Sequence, residues 1–190
     1  MKPESGMLNQ ILQEKIQTLP NFTEKTFSEL EARFLALLTH AEFKIQTLCQ
    51  ARQLAFHLSY LCPNPARTAV GLTELFINAI EHGNLGITFE EKNQLTSESA
   101  WFEEIERRLN MPANQSKMVH ITVHKDAHAV QFEIQDEGLG FRWQEYLEDP
   151  SANQTAKHGR GIILARMMSF DKLEYNETGN YVRCLVGLHR

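Results

Sequence analysis

The segment Thr-Glu-Leu-Phe-Ile-Asn-Ala-Ile-Glu-His-Gly-Asn, residues 73–84, is the part of the chain from which the fold can be predicted. At about 100° per residue, its polar side chains fall on one narrow stripe of a helix. These are Glu74, Asn78, Glu81 and His82. Most of the remaining perimeter is apolar, whereas a surface helix usually shows a wide polar face. Because buried polar groups need partners, the stripe indicates either a ligand cavity or one solvated strip, and the segment alone favours neither.

Composition and charge narrow the class of protein. The chain has 190 residues, 42% of them hydrophobic and 23% charged, which fits one globular domain with appendages. A net charge of -5 argues against a nucleic-acid binder. No apolar run is long enough to span a bilayer and the start lacks a signal peptide, so we expect no membrane partner and a cytoplasmic location. The three scattered cysteines are typical of reduced thiols.

Hydrophobic spacing before residue 73 predicts helices and one strand. The predicted ranges are helices at 7–17 and 28–39, a strand at 41–46, and a helix that a Thr47/Gln50 capping box begins. Pro63 and Pro65 end that helix. The central helix follows them and extends to Gly83.

The second half of the chain predicts an insertion and two hairpins. Residues 85–117 are polar and contain at least one amphipathic helix, with Trp101, Phe102, Ile105 and Leu109 on its apolar side. Strands are predicted at 119–124 and 130–135, a helix at 162–168, and closing strands at 173–176 and 181–188. The expected fold is an α/β two-layer sandwich with extra N-terminal helices. In it, helices cover one face of a mixed, largely antiparallel sheet of about five strands.

Two glycine-rich turns follow the central helix. Asp136–Phe141, Asp-Glu-Gly-Leu-Gly-Phe, comes directly off a buried strand, and alone it is typical of an ordinary turn. His158–Ile162 lies where a loop becomes a helix, and it could be a flexible cap or an anion site. The order of a Glu-x-x-x-Asn stripe, Asp-x-Gly-x-Gly and Gly-x-Gly is a more specific signal than any of the three alone.

This ordered triplet resembles the N box and the two glycine boxes of the GHKL ATP-binding fold of gyrase-type ATPases and histidine kinases. The resemblance is carried by Glu74–Asn84, Asp136–Phe141 and Gly159–Leu164; Gly179–Val182 is also similar, and the match covers roughly 41–190. Within the fold, the chain most resembles the anti-sigma-factor serine/threonine kinases of the partner-switching type.

The resemblance implies ATP and Mg²⁺ as cofactors and gives each motif a role. It implies that Glu74 is the catalytic general base, that the Asn78 oxygen binds Mg²⁺, and that the Asp136 carboxylate accepts a hydrogen bond from the adenine amine. The backbone at Gly138 and Gly140 would close over the base. The phosphates would be bound by Lys157, Gly159, Arg160 and Gly161.

The 85–117 insertion is longer than in simple anti-sigma kinases and resembles a subgroup attached to response-regulator receiver domains. Met1–Pro3, followed by apolar residues at helical spacing, resembles the end of a receiver domain. We therefore expect residues 1–39 to be an N-terminal helical segment or linker, a candidate receiver-domain remnant. Residues 40–190 would form a GHKL-type ATP-binding kinase domain.

The implied function is transfer of the ATP γ-phosphate to a Ser or Thr of a small antagonist protein. The implied partners are that antagonist, a sigma factor, or both, with a receiver domain and a homodimer left open. An ATP-dependent binding module, or a response-regulator output domain without kinase turnover, is the alternative. A histidine kinase catalytic domain is less well supported, because the only candidate phosphoacceptor sequence, His40–Lys44, leads into a predicted strand.

Overall fold

The computed structural model describes residues 35, 37–95, 97–141, 143 and 165–188. Within these ranges, five strands form one sheet in the order β1-β2-β3-β5-β4. The strands are β1 His40–Ile45, β2 Val119–Lys125, β3 Ala129–Gln135, β4 Lys172–Tyr175 and β5 Tyr181–Gly187. All four described pairings are antiparallel, so no parallel pair of the predicted mixed sheet occurs among them. The β2–β3 and β4–β5 hairpins are as predicted, which confirms the α/β two-layer sandwich.

Two long helices cover the sheet and pack against each other: α1 Leu48–Ser59 and α2 Pro65–Asn78. The predicted capping box begins α1, because the Thr47 hydroxyl accepts the Gln50 N–H at 3.3 Å and the Gln50 side chain accepts the Thr47 N–H at 3.1 Å. Asn64 caps α2, with Pro65 in its first turn. Apolar faces of both helices and of the strands form one continuous core.

The central helix changes its winding before it ends. Regular α geometry stops at Asn78, and Ala79–Asn84 forms a π-helical turn, with the Leu85 N–H donating to the Ile80 carbonyl at 2.9 Å. The predicted extent was close, but a uniform α-helix to Gly83 is wrong. A π turn accommodates one extra residue and is common at functional sites.

The 85–117 insertion, for which at least one helix is predicted, contains two: α3 Phe89–Gln94 and α4 Glu98–Leu109. The amphipathic α4 is confirmed, with Ile105 buried and three other apolar residues packed against the core. Sequence periodicity missed α3, because its six residues are almost all polar. Its one local signal is a capping box between Thr88 and Glu91.

Several predictions lie partly or wholly outside the described residues. The helix at 7–17, most of the one at 28–39, and residues 162–164 of the predicted 162–168 helix are among them. Ala165–Ser169 is described and is π-helical. The domain division at residues 39 and 40 stays a prediction. Among the helices that the structure describes, none has the length and apolar character needed to cross a membrane.

Candidate nucleotide-binding site

Asp136 lies directly after β3 and is only 8% exposed. Its backbone N–H donates to the Asn180 carbonyl at 3.0 Å, which ties it to the turn before β5. Its carboxylate accepts the Gly138 N–H at 2.8 Å. The strand exit therefore presents a buried carboxylate in a defined orientation.

Burial raises the pKa of the Asp136 carboxyl from 3.8 to about 6. The hydrogen bond from the Gly138 N–H, that from the Asp136 N–H, and the positive charge of Lys117 oppose this effect without cancelling it. Near neutral pH the group is thus a buried anion that is incompletely compensated. Such a carboxylate favours a ligand that brings its own hydrogen-bond donor.

The end of the central helix packs directly on this turn. A Cβ added at Gly83 would overlap the Asp136 carboxyl group, and one added at Gly138 would overlap the Gly83 carbonyl. Gly138 therefore needs glycine because two backbone segments approach closely there, and a side chain at residue 83 would displace the Asp136 carboxyl group. This contact brings the Thr73–Asn84 segment and the first glycine box together, as the sequence interpretation required.

Asn84 stabilises the same contact between the end of the central helix and the turn at residues 136–138. Its side-chain oxygen accepts the Glu137 N–H at 2.7 Å, and its backbone carbonyl accepts from the Lys117 ammonium at 2.8 Å. The Glu137 carboxylate in turn accepts the Met118 N–H at 3.0 Å. The Asn84 Nδ2 is buried and has no hydrogen-bond partner among the described residues. A buried amide donor without a partner at this turn is compatible with a bound polar ligand.

Glu74 and Asn78 lie one turn apart on α2, and both are half-buried. Side chains four residues apart share one face of an α-helix. Their neighbours Thr73, Leu75 and Phe76 are buried, so this pair lies on the more accessible side of the helix. Asn78 is also the residue from which the π turn runs to Gly83 and the Asp136 carboxyl.

A second pair of glycines joins the glycine box to the closing hairpin. Gly140 and Gly179 have φ values of 78° and 86°, which side-chain-bearing residues rarely adopt. A Cβ at Gly140 would overlap the Thr178 carbonyl, and one at Gly179 would overlap the Phe141 carbonyl. The Gly179–Val182 motif is thereby placed beside Asp136–Phe141.

The aromatic and helix-end residues have structural partners. The Trp143 ring stacks on Tyr175 with centroids 5.8 Å apart, and its Nε1 donates to the Asn176 carbonyl at 2.8 Å. Glu81 and His82 lie in the π turn, and both side chains bond residues of the 85–117 insertion. The Glu81 carboxylate accepts from Lys92 at 2.6 Å, and His82 Nδ1 lies 2.5 Å from the Ile87 carbonyl oxygen.

Sequence reasoning missed the roles of Gly83, Asn84 and Lys117. Gly83 and Asn84 are the last two residues of the π turn that ends the central helix. Their contact with residues 136–138 joins segments more than fifty residues apart, which no local pattern predicts. Lys117, Gly83 and Asp136 meet only in the folded chain. Four predicted phosphate-binding residues lie outside the described ranges, so their roles stay predictions: Lys157, Gly159, Arg160 and Gly161.

The residues present fit an adenine nucleotide. The site offers a buried acceptor carboxylate at Asp136, a close backbone approach at Gly138 and an unpartnered amide donor at Asn84. The half-buried Asn78 side chain supplies an oxygen of the kind that Mg²⁺ prefers. Asp136 and Asn78 are connected through a single π turn.

Comparison with known proteins agrees with this geometry. The family model for the histidine kinase-like ATPase domain matches residues 45–185, about three quarters of the chain. The matched range includes the central helix, the first glycine box, the β2–β3 hairpin and all but the last two residues of the β4–β5 hairpin. A search of curated proteins gives no match.

Proposed function

Because the chain belongs to the histidine kinase-like ATPase domain family, we propose that it is an ATP-binding regulatory serine/threonine kinase of the anti-sigma-factor type. The family supports an ATP-binding, GHKL-type domain. The finer proposal is that the γ-phosphate of ATP is transferred to a Ser or Thr of a small antagonist protein. The observation that supports it is the placement of Glu74 and Asn78, one turn apart, on the helix whose end packs against Asp136.

The adenine end of the proposed site is centred on Asp136. Its carboxylate accepts a hydrogen bond from the adenine amine, while Gly138 has no side chain that would obstruct the base there. Guanine would present a carbonyl to this buried anion. Because that arrangement leaves the carboxylate without a donor and adds repulsion, the site favours ATP over GTP.

The phosphate end is formed by α2. The Asn78 oxygen would hold Mg²⁺, which when bound neutralises charge on the phosphate oxygens. Glu74 acts as general base and takes the proton of the attacking Ser or Thr hydroxyl. The hydroxyl oxygen forms a bond to the γ-phosphorus as the bond to the bridging oxygen of ADP breaks. The products are a phosphorylated side chain, ADP and a proton on Glu74.

Two measurements test this proposal. Calorimetric titration with ATP and with GTP, each with and without Mg²⁺, tests the nucleotide site alone. Transfer of radiolabelled γ-phosphate to candidate antagonists tests the reaction, with Glu74→Gln as the variant and the exposed Glu103→Gln on α4 as the matched control. We expect Glu74→Gln to bind ATP but lower transfer by roughly 10²–10⁴-fold, the usual contribution of a general base.

Wild-type protein that binds ATP and phosphorylates none of the candidate antagonists would contradict the kinase proposal. Binding of the same candidate antagonists, measured with and without ATP, tests the alternative, an ATP-dependent binding module or response-regulator output domain. A module predicts that Asn78→Ala abolishes ATP-dependent partner binding while Glu74→Gln leaves it intact. The histidine kinase alternative stays the less well supported one, because its candidate phosphoacceptor, His40, begins strand β1 and contacts His124 of β2.

A further inference from the structure

Glu81, in the middle of the π turn, has a side chain that is 0% exposed. Both of its carboxylate oxygens are bound by the insertion. Lys92 of α3 donates to Oε2 at 2.6 Å, and Trp101 of α4 donates to Oε1 through Nε1 at 3.1 Å. The Lys92 ammonium also lies 5.4 Å from the centroid of the Trp101 ring. These three residues, Glu81, Lys92 and Trp101, are called the latch below.

A buried ion pair is a poor way to gain stability, because both charges must leave water. It is well suited to fixing geometry, since a misplaced partner would leave a buried charge uncompensated. The π winding itself is rare and occurs mostly as single turns inside α-helices. The latch therefore acts on the one turn of the central helix that departs from regular α geometry.

The opposite side of this turn contacts the candidate site. Gly83 packs on the Asp136 carboxyl and Asn84 accepts the Glu137 N–H, while Asn78 directly precedes the turn. The turn thus connects the phosphate end of the proposed site to its adenine end. The two latch side chains that come from the insertion, Lys92 and Trp101, have no place in the proposed reaction.

We propose that the 85–117 insertion positions the adenine end of the nucleotide site through the latch, with Glu81 and Lys92 as positioning residues. The inference rests on the proposed function for its catalytic readout but not for its binding readout. Without the latch, the turn can rewind as α-helix, and loss of its one extra residue rotates Gly83 and Asn84 by about 100° in total, away from Asp136. Glu74 and Asn78 precede the turn on regular α2 and keep their places.

The test uses the full chain with Lys92→Met, Lys92→Arg and Trp101→Phe. Lys92→Met is expected to raise both the Kd and the KM for ATP about tenfold, a usual size for coupling through a contact network. We expect kcat at saturating ATP to stay within about twofold, because the catalytic end is unchanged. Lys92→Arg restores the cation and should bring the Kd back to within about threefold of wild type.

Trp101→Phe removes one donor and leaves the ion pair, so a rise of about threefold in the Kd for ATP is expected. Lys172→Met is the matched control. It removes a lysine that also bonds a glutamate, Glu174 on β4, but both side chains are exposed at 62% and 42%. That control should bind ATP as wild type does. Urea unfolding of each variant establishes that it is folded under the assay conditions.

The proposal is overturned if folded Lys92→Met and Trp101→Phe bind ATP with the wild-type Kd, or if kcat falls while KM stays constant. Should Lys92→Met fail to fold, Trp101→Phe alone decides, because it leaves no buried charge unpaired. Calorimetric Kd values need no phosphoryl transfer. A wild-type protein that binds ATP without transferring phosphate would therefore contradict the proposed kinase function. The role of the latch would still be tested by comparing the Kd values of the variants for ATP.

Discussion

Asp136→Asn is expected to abolish ATP binding and, at the same time, to stabilise the fold. The Asp136 carboxyl is 8% exposed and its pKa is raised from 3.8 to about 6. Because the folded state holds the proton more tightly than the unfolded chain does, the ionised carboxylate lowers the free energy of unfolding. The difference between the two pKa values corresponds to roughly 3 kcal/mol.

The sign and the pH range follow from the two pKa values. The destabilisation is fully present above pH 6, shrinks as the pH falls between 6 and 3.8, and is absent below 3.8. Asparagine does not ionise, yet keeps an oxygen for the Gly138 N–H. At pH 8 the variant should exceed wild type in unfolding free energy by roughly 2–3 kcal/mol, and the gap should close near pH 4. A pH-independent effect of the new amide would shift this curve without changing its slope.

The assay is urea unfolding followed by tryptophan fluorescence between pH 4 and 8, combined with ATP calorimetry at neutral pH. Asp126→Asn is the matched control. The pKa of the exposed Asp126 carboxyl is lowered by the backbone N–H groups of His128 and Ala129, so its stabilising effect is present at neutral pH and is lost on acidification. A stability gap between Asp136→Asn and wild type that stays constant from pH 4 to 8 would refute the reasoning.

Three further predictions concern the same contact. The ATP affinity of wild type should fall about tenfold per pH unit below pH 6, because a protonated Asp136 no longer accepts freely; a flat calorimetric profile from pH 5 to 8 would contradict this. Lys117→Met removes a charge that lowers the Asp136 pKa and a bond to Asn84, so the acid limb of that profile should move to higher pH, and an unmoved limb would exclude the coupling. Gly83→Ala forces a Cβ against the carboxyl, and we expect the unfolding free energy to fall by roughly 1–3 kcal/mol with weaker ATP binding. An alanine variant as stable and as tight-binding as wild type would show that the close approach is unnecessary.

Local signals were enough for most of the secondary structure. The Thr47/Gln50 capping box gave the start of α1, and alternation of apolar residues placed β2 and β3 to within two residues of their observed ends. These features were predictable because each depends on residues close together in the chain. By contrast, α3 has no apolar periodicity of its own, and its position depends on Lys92 and on the Arg108 guanidinium, which bonds Glu91 at 2.6 Å.

The candidate site was likewise predictable only in part from the sequence. Asp136, Glu74 and Asn78 were chosen from the order of three motifs, and the structure places Asp136 against the end of the helix that carries the other two. For Glu81 and His82, which a helical projection places on the same stripe, the structure shows bonds to residues of the 85–117 insertion. Only burial and partners of the folded chain reveal that Glu81 is turned towards the insertion.

By itself, the sequence determined most of the helices and strands, the antiparallel hairpins and the family, because periodicity, capping and motif order are properties of neighbouring residues. Only the tertiary structure decided the π winding of Ala79–Asn84, the glycine contact with Asp136 and the burial of Glu81. Each of these depends on hydrogen bonds and packing contacts between segments that are distant in the sequence. Such contacts leave no pattern in any single stretch of the chain, because they form only when the segments pack together.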